Sequence, residues 1–116
     1  MKYLCLIFNE ETMLDAMPRT DFQAFVDEHL AYDDVMRESG HYLVSNALQS
    51  VQAATTVRVR NGKMSVTDGP FAETKEQLGG FILIEARDLN DAIQVAAKIP
   101  SARTGSIEVR PILELK

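Results

Sequence analysis

The chain has little cysteine and little positive charge, and both scarcities narrow the classes of protein to which it can belong. Its 116 residues include one cysteine, Cys5, so no disulfide can form within the chain, and a reducing compartment is expected. Twelve lysine and arginine residues stand against seventeen aspartate and glutamate residues, for a net charge of −5. Nucleic-acid-binding proteins normally carry a basic stripe that displaces counterions, so no nucleic-acid partner is expected.

Long apolar runs are also missing. The longest runs from Leu4 to Phe8, which is far too short to cross a bilayer, and no signal-peptide pattern precedes it. We therefore expect no membrane association and a cytoplasmic location. Because 46% of the residues are hydrophobic, a chain of this length can bury a core of its own, and one domain over residues 1–116 is predicted.

Ligand sets for common cofactors are absent as well. Two histidines and one cysteine cannot supply the four ligands of a structural zinc site. The carboxylates do not follow the spacing of a recognisable Mg²⁺ or Ca²⁺ loop. Neither a phosphate-binding glycine loop nor a nucleophile-elbow serine is present. No metal and no cofactor are therefore expected.

The apolar patterning predicts six strands. Residues 2–8 and 81–84 are apolar at nearly every position, which is typical of strands covered on both faces. Asn61-Gly62 is the pair best suited to a tight hairpin turn between two strands. The predicted strands are residues 2–8, 41–48, 55–60, 63–67, 81–84 and 106–112, the last of them nearer an edge of the sheet.

Two helices are predicted between these strands. The first begins at Asp21, after a capping box of Thr20 and Gln23, and ends at Gly40. Residues 9–17, before it, look polar and irregular.

The second helix is capped by Asp88 or Asn90 and stopped by Pro100. Its predicted apolar face consists of Ala92, Ile93, Ala96 and Ile99. The order strand, helix, strand, hairpin, strand, helix, strand indicates an α+β fold, a ferredoxin-like split βαβ with an extra hairpin.

The two strands that are apolar on both faces predict that the chain associates with another copy of itself. Two helices cover only one face of an antiparallel sheet. Each large side chain left exposed on the other face forgoes about 1.5–3 kcal/mol, a large share of a total stability of roughly 5–15 kcal/mol. A second copy of the chain is the simplest cover, so a homodimer is expected.

Residues 68–81, with the sequence DGPFAETKEQLGGF, combine turn-forming residues, clustered charge and a double glycine before an apolar strand. This segment resembles the signature of the DGPF domain family, a branch of the YCII-related proteins. The resemblance implies a dimeric α+β barrel and leaves the reaction unassigned. In the structural interpretation Asp68 seeds a turn that Pro70 makes rigid. Clustered charge beyond what a turn requires favours a functional loop instead.

His29 is the candidate proton carrier of the first helix. A helical projection places it on one stripe with Phe22, Phe25, Val26, Asp33 and Met36. Asp33 follows at the i, i+4 spacing, where a contact with His29 would lower the cost of desolvating its carboxylate. A core histidine satisfied by a neighbouring carboxylate remains the alternative. The second histidine, His41, is expected at the surface.

The resemblance supports the assignment of His29 as a functional residue. YCII-related proteins carry a histidine at this interval before the glycine that ends the helix, and here the pair is His29 and Gly40. In the family's proposed site that histidine is coupled to an aspartate just after the second helix and before a proline. This chain has Ile99 there, so any such pairing of histidine and aspartate would have to be rebuilt, with Asp33 or Asp68 as the candidates.

Two hypotheses follow. The first is a cofactor-independent enzyme for proton transfer or hydrolysis on a small organic substrate, by analogy with isomerases and monooxygenases on similar barrels. The second is a non-catalytic module that binds a small molecule or a protein, as a regulatory accessory linked to extracytoplasmic-function sigma factors. The candidate catalytic residues are His29, Asp33, Asp68 and Lys75, and the candidate ligand-binding residues are Phe71 (more readily a core anchor), Glu73 and Glu76.

Overall fold

A computed structural model describes residues 1–115 as a four-stranded antiparallel sheet with helices on one face and a separate hairpin. The sheet has the strand order β2-β5-β1-β6, and β3 pairs with β4 alone. The strands are β1 Lys2–Asn9, β2 Tyr42–Ala47, β3 Thr55–Arg60, β4 Lys63–Asp68, β5 Gln77–Glu85 and β6 Ser106–Pro111. The helices are α1 Glu11–Asp15, α2 Arg19–Glu38 and α3 Leu89–Ala97, with short 3₁₀ turns at Val51–Ala53 and Pro100–Ala102.

All six predicted strands are present, and the hairpin turn is the expected one. Asn61 and Gly62 have φ angles of 53° and 75°, the left-handed pair that a type I′ turn requires. The prediction for β5 was too short, because β5 begins at Gln77 and includes both glycines of the signature segment. Gly80 pairs with Ile7, and a β-carbon on it would lie 2.9 Å from the Asn46 carbonyl oxygen. Glycine therefore belongs there because the neighbouring strand approaches closely.

Helix α2 ends as predicted but begins differently. Gly40 has φ +80°, and its N–H donates to the Arg37 carbonyl at 3.2 Å, while His41 N–H donates to the Met36 carbonyl at 2.9 Å. These two bonds form a Schellman motif. The predicted capping box is wrong: the helix starts at Arg19, and the Gln23 amide donates instead to the Asp27 carboxylate at 3.0 Å.

Residues 11–15, predicted to be irregular, form the short helix α1. Contacts distant in sequence fix it. The Glu11 N–H donates to the Gln77 side-chain oxygen at 2.9 Å. The Glu11 carboxylate accepts from the Ser50 hydroxyl at 2.7 Å and from the Val51 N–H at 3.0 Å. No local sequence pattern indicates these partners, because they lie on other elements of the fold.

Helix α3 is capped as predicted by Asp88, whose carboxylate accepts from the Asp91 N–H at 2.8 Å. Its buried face differs from the prediction at one position, since Ile93 is 46% exposed. Ile93 lies roughly 100° around the helix from Ala92, and Val95 takes its place in the core. The buried residues of this face are Asp91, Ala92, Val95 and Ala96, followed by Ile99 beyond the helix end.

The two faces of the sheet are covered unequally. Alternate residues of β1, such as Tyr3 and Cys5, are almost fully buried under the helices, and burial raises the pKa of the Cys5 thiol to about 11. The opposite face, here called the open sheet face, stays half-exposed, and Val44 on it is 40% exposed. The open sheet face consists of Leu4, Leu6, Phe8, Val44, Leu78, Phe81 and Leu83.

The hairpin β3–β4 extends the molecule beyond the sheet. The Cα radius of gyration is 16.1 Å, whereas a compact chain of this length has one of about 13 Å. Val57 pairs with Val66 and Val59 with Met64, and each of these four side chains is at least 58% exposed. One face of the hairpin is therefore apolar and uncovered. Within residues 1–115, no helix combines the length and apolar character that crossing a bilayer requires.

Candidate functional site

A cleft of about 540 Å³ opens on the helix side of the sheet. It lies between α1, α2, the adjoining ends of β1, β2 and β5, and the turn at Pro100–Ala102. Its apolar lining includes Ile7, Leu14, Phe22, Phe25, Val26 and Leu30. Its polar lining includes Asn9, Glu11, Asp15, His29, Asp33, Ser45, Gln77 and Ser101.

His29 is held in this cleft by both ring nitrogens. Nδ1 lies 2.8 Å from the Phe25 carbonyl oxygen one turn earlier, and Nε2 lies 2.8 Å from the Ser101 hydroxyl oxygen. A carbonyl can only accept, so Nδ1 carries the proton of the neutral ring and Nε2 accepts from the Ser101 hydroxyl. The partners of the imidazole thus select its tautomer.

The Ser101 hydroxyl is itself positioned by a second side chain. The Asn9 amide N–H donates to Ser101 Oγ at 3.0 Å, and the Asn9 side-chain oxygen accepts from the Thr104 hydroxyl at 2.7 Å. Asn9 and Ser101 are 6% and 2% exposed. A continuous chain of hydrogen bonds therefore runs from Thr104 through Asn9 and Ser101 to His29.

This arrangement has the parts of an activated hydroxyl. A base accepts the hydroxyl proton, a third group orients the base, and here that group is the Phe25 carbonyl. The Asn9 amide donates to the same oxygen, so it stabilises negative charge that develops on Ser101 Oγ as the proton leaves. The cleft can therefore move a proton between a bound molecule and His29 by way of Ser101.

Asp33 lines the same cleft without bonding to His29. The predicted i, i+4 contact is not a hydrogen bond, because both ring nitrogens of His29 already have other partners. Burial raises the pKa of Asp33, while the charges of Arg37 and His29 and the Ser45 hydroxyl lower it in part. His29 and Asp33 are thus coupled electrostatically across one turn of α2.

The remaining predicted residues lie elsewhere. Asp68 ends the hairpin strand β4, is exposed and does not line the cleft of His29. The Lys75 ammonium is exposed and lies 4.0 Å from the Glu10 carboxylate. The Glu76 carboxylate accepts from the Ser106 hydroxyl at 2.7 Å. Of the two aspartates considered as replacements, the structure brings Asp33 and not Asp68 to His29.

Phe71 and Glu73 line a second cleft, of about 1040 Å³, between the hairpin base and the open sheet face. Phe71 does not anchor in the core, since it is 79% exposed. Phe8 and Leu78 of the open sheet face border the same space. His29 and Asp33 thus line the first cleft, and Phe71 and Glu73 line the second. The other predicted site residues line neither, namely Asp68, Lys75 and Glu76.

Sequence reasoning missed Ser101 and Asn9. The position that the resemblance assigns to an aspartate is Ile99, which is 1% exposed and belongs to the core. The 3₁₀ turn that begins at Pro100 brings Ser101 beneath His29 instead. A signal was available, because Ser101 is the first side chain after the proline that can form hydrogen bonds. Asn9 carried no comparable signal, because its partners are distant in sequence.

His41, expected at the surface, forms a second polar cluster outside the cleft. Its Nε2 lies 3.1 Å from the Asp91 carboxylate, and its Nδ1 lies 2.6 Å from the Ser39 hydroxyl. The backbone N–H and then the guanidinium of Arg87, together with His41, lower the pKa of Asp91 from 3.8 to about 2. The cluster joins α3 to the residue that follows α2.

This cluster predicts a loss of stability in acid. The folded-state pKa of Asp91 is lower than its usual value, so its ionised form stabilises the fold above pH 3.8, and that contribution disappears as the pH falls toward about 2. Asp91→Asn should flatten the pH dependence of the unfolding free energy over this interval. Asp27→Asn, on the exposed side of α2, should leave it unchanged. Denaturant unfolding followed by circular dichroism at pH 2–5 measures both, and parallel curves for the two variants would contradict the assignment.

Metal binding has no obvious site in the described chain. Within residues 1–115, no group of three or more histidine, cysteine, aspartate or glutamate side chains is arranged to hold a metal ion. His29 and His41 are each engaged by protein partners.

Comparison with known proteins gives the family. The YCII-related domain matches residues 1–116. A protein of Rhizobium meliloti (strain 1021), described as uncharacterised, is 37% identical over 114 residues, which cover 97% of this chain and 92% of that protein. The chain belongs to the YCII-related family.

Proposed function

We propose that this protein is a cofactor-independent enzyme that moves a proton on a small organic molecule bound in the cleft of His29. One observation carries the proposal: the Ser101 hydroxyl lies 2.8 Å from His29 Nε2 at the wall of a cleft of about 540 Å³. This volume falls in the range usual for small-molecule sites. A histidine that only stabilised the core would not need to line a cleft.

The proton moves through Ser101. Because Nδ1–H is committed to the Phe25 carbonyl, Nε2 is the only basic nitrogen of the neutral ring, and it already receives the Ser101 hydroxyl. The hydroxyl oxygen takes a proton from the bound molecule as its own proton passes to Nε2. The electron pair of the broken bond stays on the substrate, and the return of the proton completes isomerisation or exchange. Hydrolysis would use the same relay, with water as the molecule that loses the proton.

Asp33 balances the charge that this transfer creates. When Nε2 receives a proton, the ring becomes an imidazolium, and a carboxylate on the same side of α2 stabilises it. Asn9 acts as a positioning residue, since its amide holds Ser101 Oγ in line with the ring. The chain thus supplies a relay, a counter-charge and an apolar pocket without a cofactor.

The test is a comparison of the two histidines. His29→Gln keeps a side chain that can still bond to Ser101 and removes the basic nitrogen. It should reduce the rate of solvent-deuterium exchange into a panel of small ketones, or of hydrolysis of p-nitrophenyl acetate, by about 10²–10⁴-fold. Ser101→Ala should cause a similar loss. His41→Gln is the matched control and should retain the wild-type rate well below its unfolding temperature.

A second readout does not require a substrate. Long-range ¹H–¹⁵N NMR correlations should show His29 protonated at Nδ1, and Ser101→Ala should move the Nε2 resonance while leaving that tautomer in place. A ring protonated at Nε2 would remove the relay. The proposal would also be contradicted if wild type and His29→Gln showed equal rates on every substrate that the wild type turns over.

A non-catalytic binding module is the second candidate. It is favoured by the observation that both His29 ring nitrogens are satisfied by protein groups, which also describes a structural histidine lining a ligand pocket. This candidate, which includes a regulatory accessory role, predicts saturable ligand binding that survives His29→Gln. The deuterium-exchange comparison separates the two.

We also propose that residues 1–116 act as one domain of the DGPF branch, with a ferredoxin-like arrangement that pairs its sheets as a dimeric α+β barrel. The strand order β2-β5-β1-β6 supports this arrangement, because α2 connects β1 to β2 with β5 between them and α3 connects β5 to β6 with β1 between them. The open sheet face and the uncovered face of the hairpin support the homodimer, because a two-fold axis lets one apolar patch cover its own copy. The buried thiol of Cys5 fits a reducing cytoplasm.

A further inference from the structure

The charges around the cleft of His29 are all of one sign. Glu11, Asp15 and Asp33 line it, and none of the lysine or arginine residues within positions 1–115 does. An anionic group entering the cleft would meet carboxylates and no cation. The overall charge of −5 acts in the same direction.

Asp33 is the carboxylate available to a bound molecule. The Glu11 carboxylate is occupied by the Ser50 hydroxyl and the Val51 N–H. Asp15 is exposed at the edge of the cleft. Asp33 is half-buried and forms no ion pair with any residue of the described chain.

The nearest cation is already engaged elsewhere. The Arg37 guanidinium donates to the Asp34 carboxylate at 2.8 Å and lies over the Tyr42 ring, 4.2 Å from its centre. Arg37 lowers the pKa of Asp33 only in part, because burial still raises it above the usual value. Arg37 does not line the cleft. An incoming cation would therefore not have to displace a protein ion pair.

Aromatic and aliphatic side chains form the rest of the wall. Phe22 and Leu30 are 43% and 57% exposed, which leaves apolar surface open at the cleft. A flat apolar body would cover this surface, and a cation beside a phenylalanine ring gains a further attraction.

We propose that the molecule bound in this cleft carries a positively charged group, such as a protonated amine, directed at Asp33, and an apolar body packed on the phenylalanine side of the cleft. This inference rests on the proposed function of the cleft and adds the chemical class of its ligand. The same charges disfavour carboxylates and phosphate esters as ligands. The position of His29 one turn from Asp33 places the reacting group of the ligand beside its cationic group.

The test uses two probes of similar size and opposite charge. The ¹⁵N-labelled full chain is titrated with 2-phenylethylamine and with 3-phenylpropanoate at pH 7 and low salt, followed by amide shifts of cleft residues such as Gly80 and Ser101. The amine should bind at least about tenfold more tightly than the carboxylate, as one partly screened ion pair allows. Asp33→Asn should reduce the ratio to about twofold or less. Asp27→Asn removes the same charge from the outer side of α2 and should keep the ratio.

Equal binding of the two probes, tighter binding of the carboxylate, or an unchanged ratio in Asp33→Asn would each overturn the inference. Failure here is distinguishable from failure of the proposed function. If His29→Gln abolishes proton transfer while the amine shows no preference, the ligand class is wrong and the relay stands. If the amine is preferred but the His29→Gln rate equals that of wild type, the relay is wrong and the ligand class stands.

Discussion

Gly105→Ala should unfold the protein or destabilise it by about 3 kcal/mol or more, at the upper end of what overpacking costs. A β-carbon at Gly105 would lie 1.9 Å from the Phe8 carbonyl oxygen and 2.7 Å from the Asn9 side-chain oxygen. The Phe8 backbone cannot move away from this β-carbon, because Phe8 pairs with Leu78 on one side and with Ser106 on the other. Thermal unfolding should therefore shift downward by roughly 10 °C or more.

Gly79→Ala provides the matched control. A β-carbon there would lie 4.0 Å from the Ile7 carbonyl oxygen, which is ordinary van der Waals contact. Its stability should stay within about 0.5 kcal/mol of wild type, as is usual for substitutions that meet no obstacle. If Gly105→Ala unfolds at the temperature of Gly79→Ala, the close packing of the turn before β6 against the end of β1 is incorrect.

The clash of a β-carbon at Gly105 with Asn9 should also disturb the cleft of His29. The Asn9 side-chain oxygen is the atom that accepts from Thr104, and the other end of its amide positions Ser101. Any Gly105→Ala protein that remains folded should show a displaced Ser101 hydroxyl and an altered His29 Nε2 resonance. Gly105 is thus expected to hold the relay in place without touching His29.

Leu6→Asp should convert a dimer into a monomer. Leu6 lies in the middle of the open sheet face, with Phe81 and Glu108 as its neighbours on the adjacent strands. Loss of two half-buried leucines per dimer costs about 3–6 kcal/mol, which weakens association by at least about 100-fold. The new carboxylates also lie beside Glu108. Sedimentation equilibrium at micromolar concentration should give twice the 12.9 kDa chain mass for wild type and a single chain mass for the variant.

Ile93→Asp is the control for this experiment. Ile93 is exposed to a similar degree as residues of the open sheet face, at 46%, but lies on the outer side of α3. Its variant should remain a dimer and keep the wild-type circular dichroism spectrum. Wild-type protein that sediments as a monomer at micromolar concentration, or Leu6→Asp protein that remains dimeric, would disprove the proposed interface.

Local patterns predicted most of the secondary structure. The strands were predictable because continuous or alternating apolar residues identify them, and Asn61-Gly62 and Gly40 mark turns that few other residues can adopt. The errors lie where partners are distant in sequence. Helix α1 depends on Gln77 and Ser50, and the burial of Val95 in place of Ile93 depends on how α3 is rotated against the sheet.

The candidate site was predicted in part. The helical stripe placed His29 and Asp33 on one side of α2, and both line the same cleft. Asp68 and Lys75 lie away from it, because the hairpin carries Asp68 outward, whereas the end of the signature segment, such as Gln77 and Gly80, belongs to β5 and lines the cleft. Ser101 becomes the partner of His29 through a turn whose position follows from the packing of α3.

By itself, the sequence determined the number and kind of the strands and long helices, the two-sided apolar character of β1 and β5, and the family. These features depend on residues close together in the chain, where periodicity and turn chemistry act directly. Only the tertiary structure decided the hydrogen-bond partner of His29, the tautomer of its ring and which carboxylates line the cleft. Each of these depends on side chains such as Asn9 and Ser101, which are 92 residues apart and meet only when the sheet and α3 pack together.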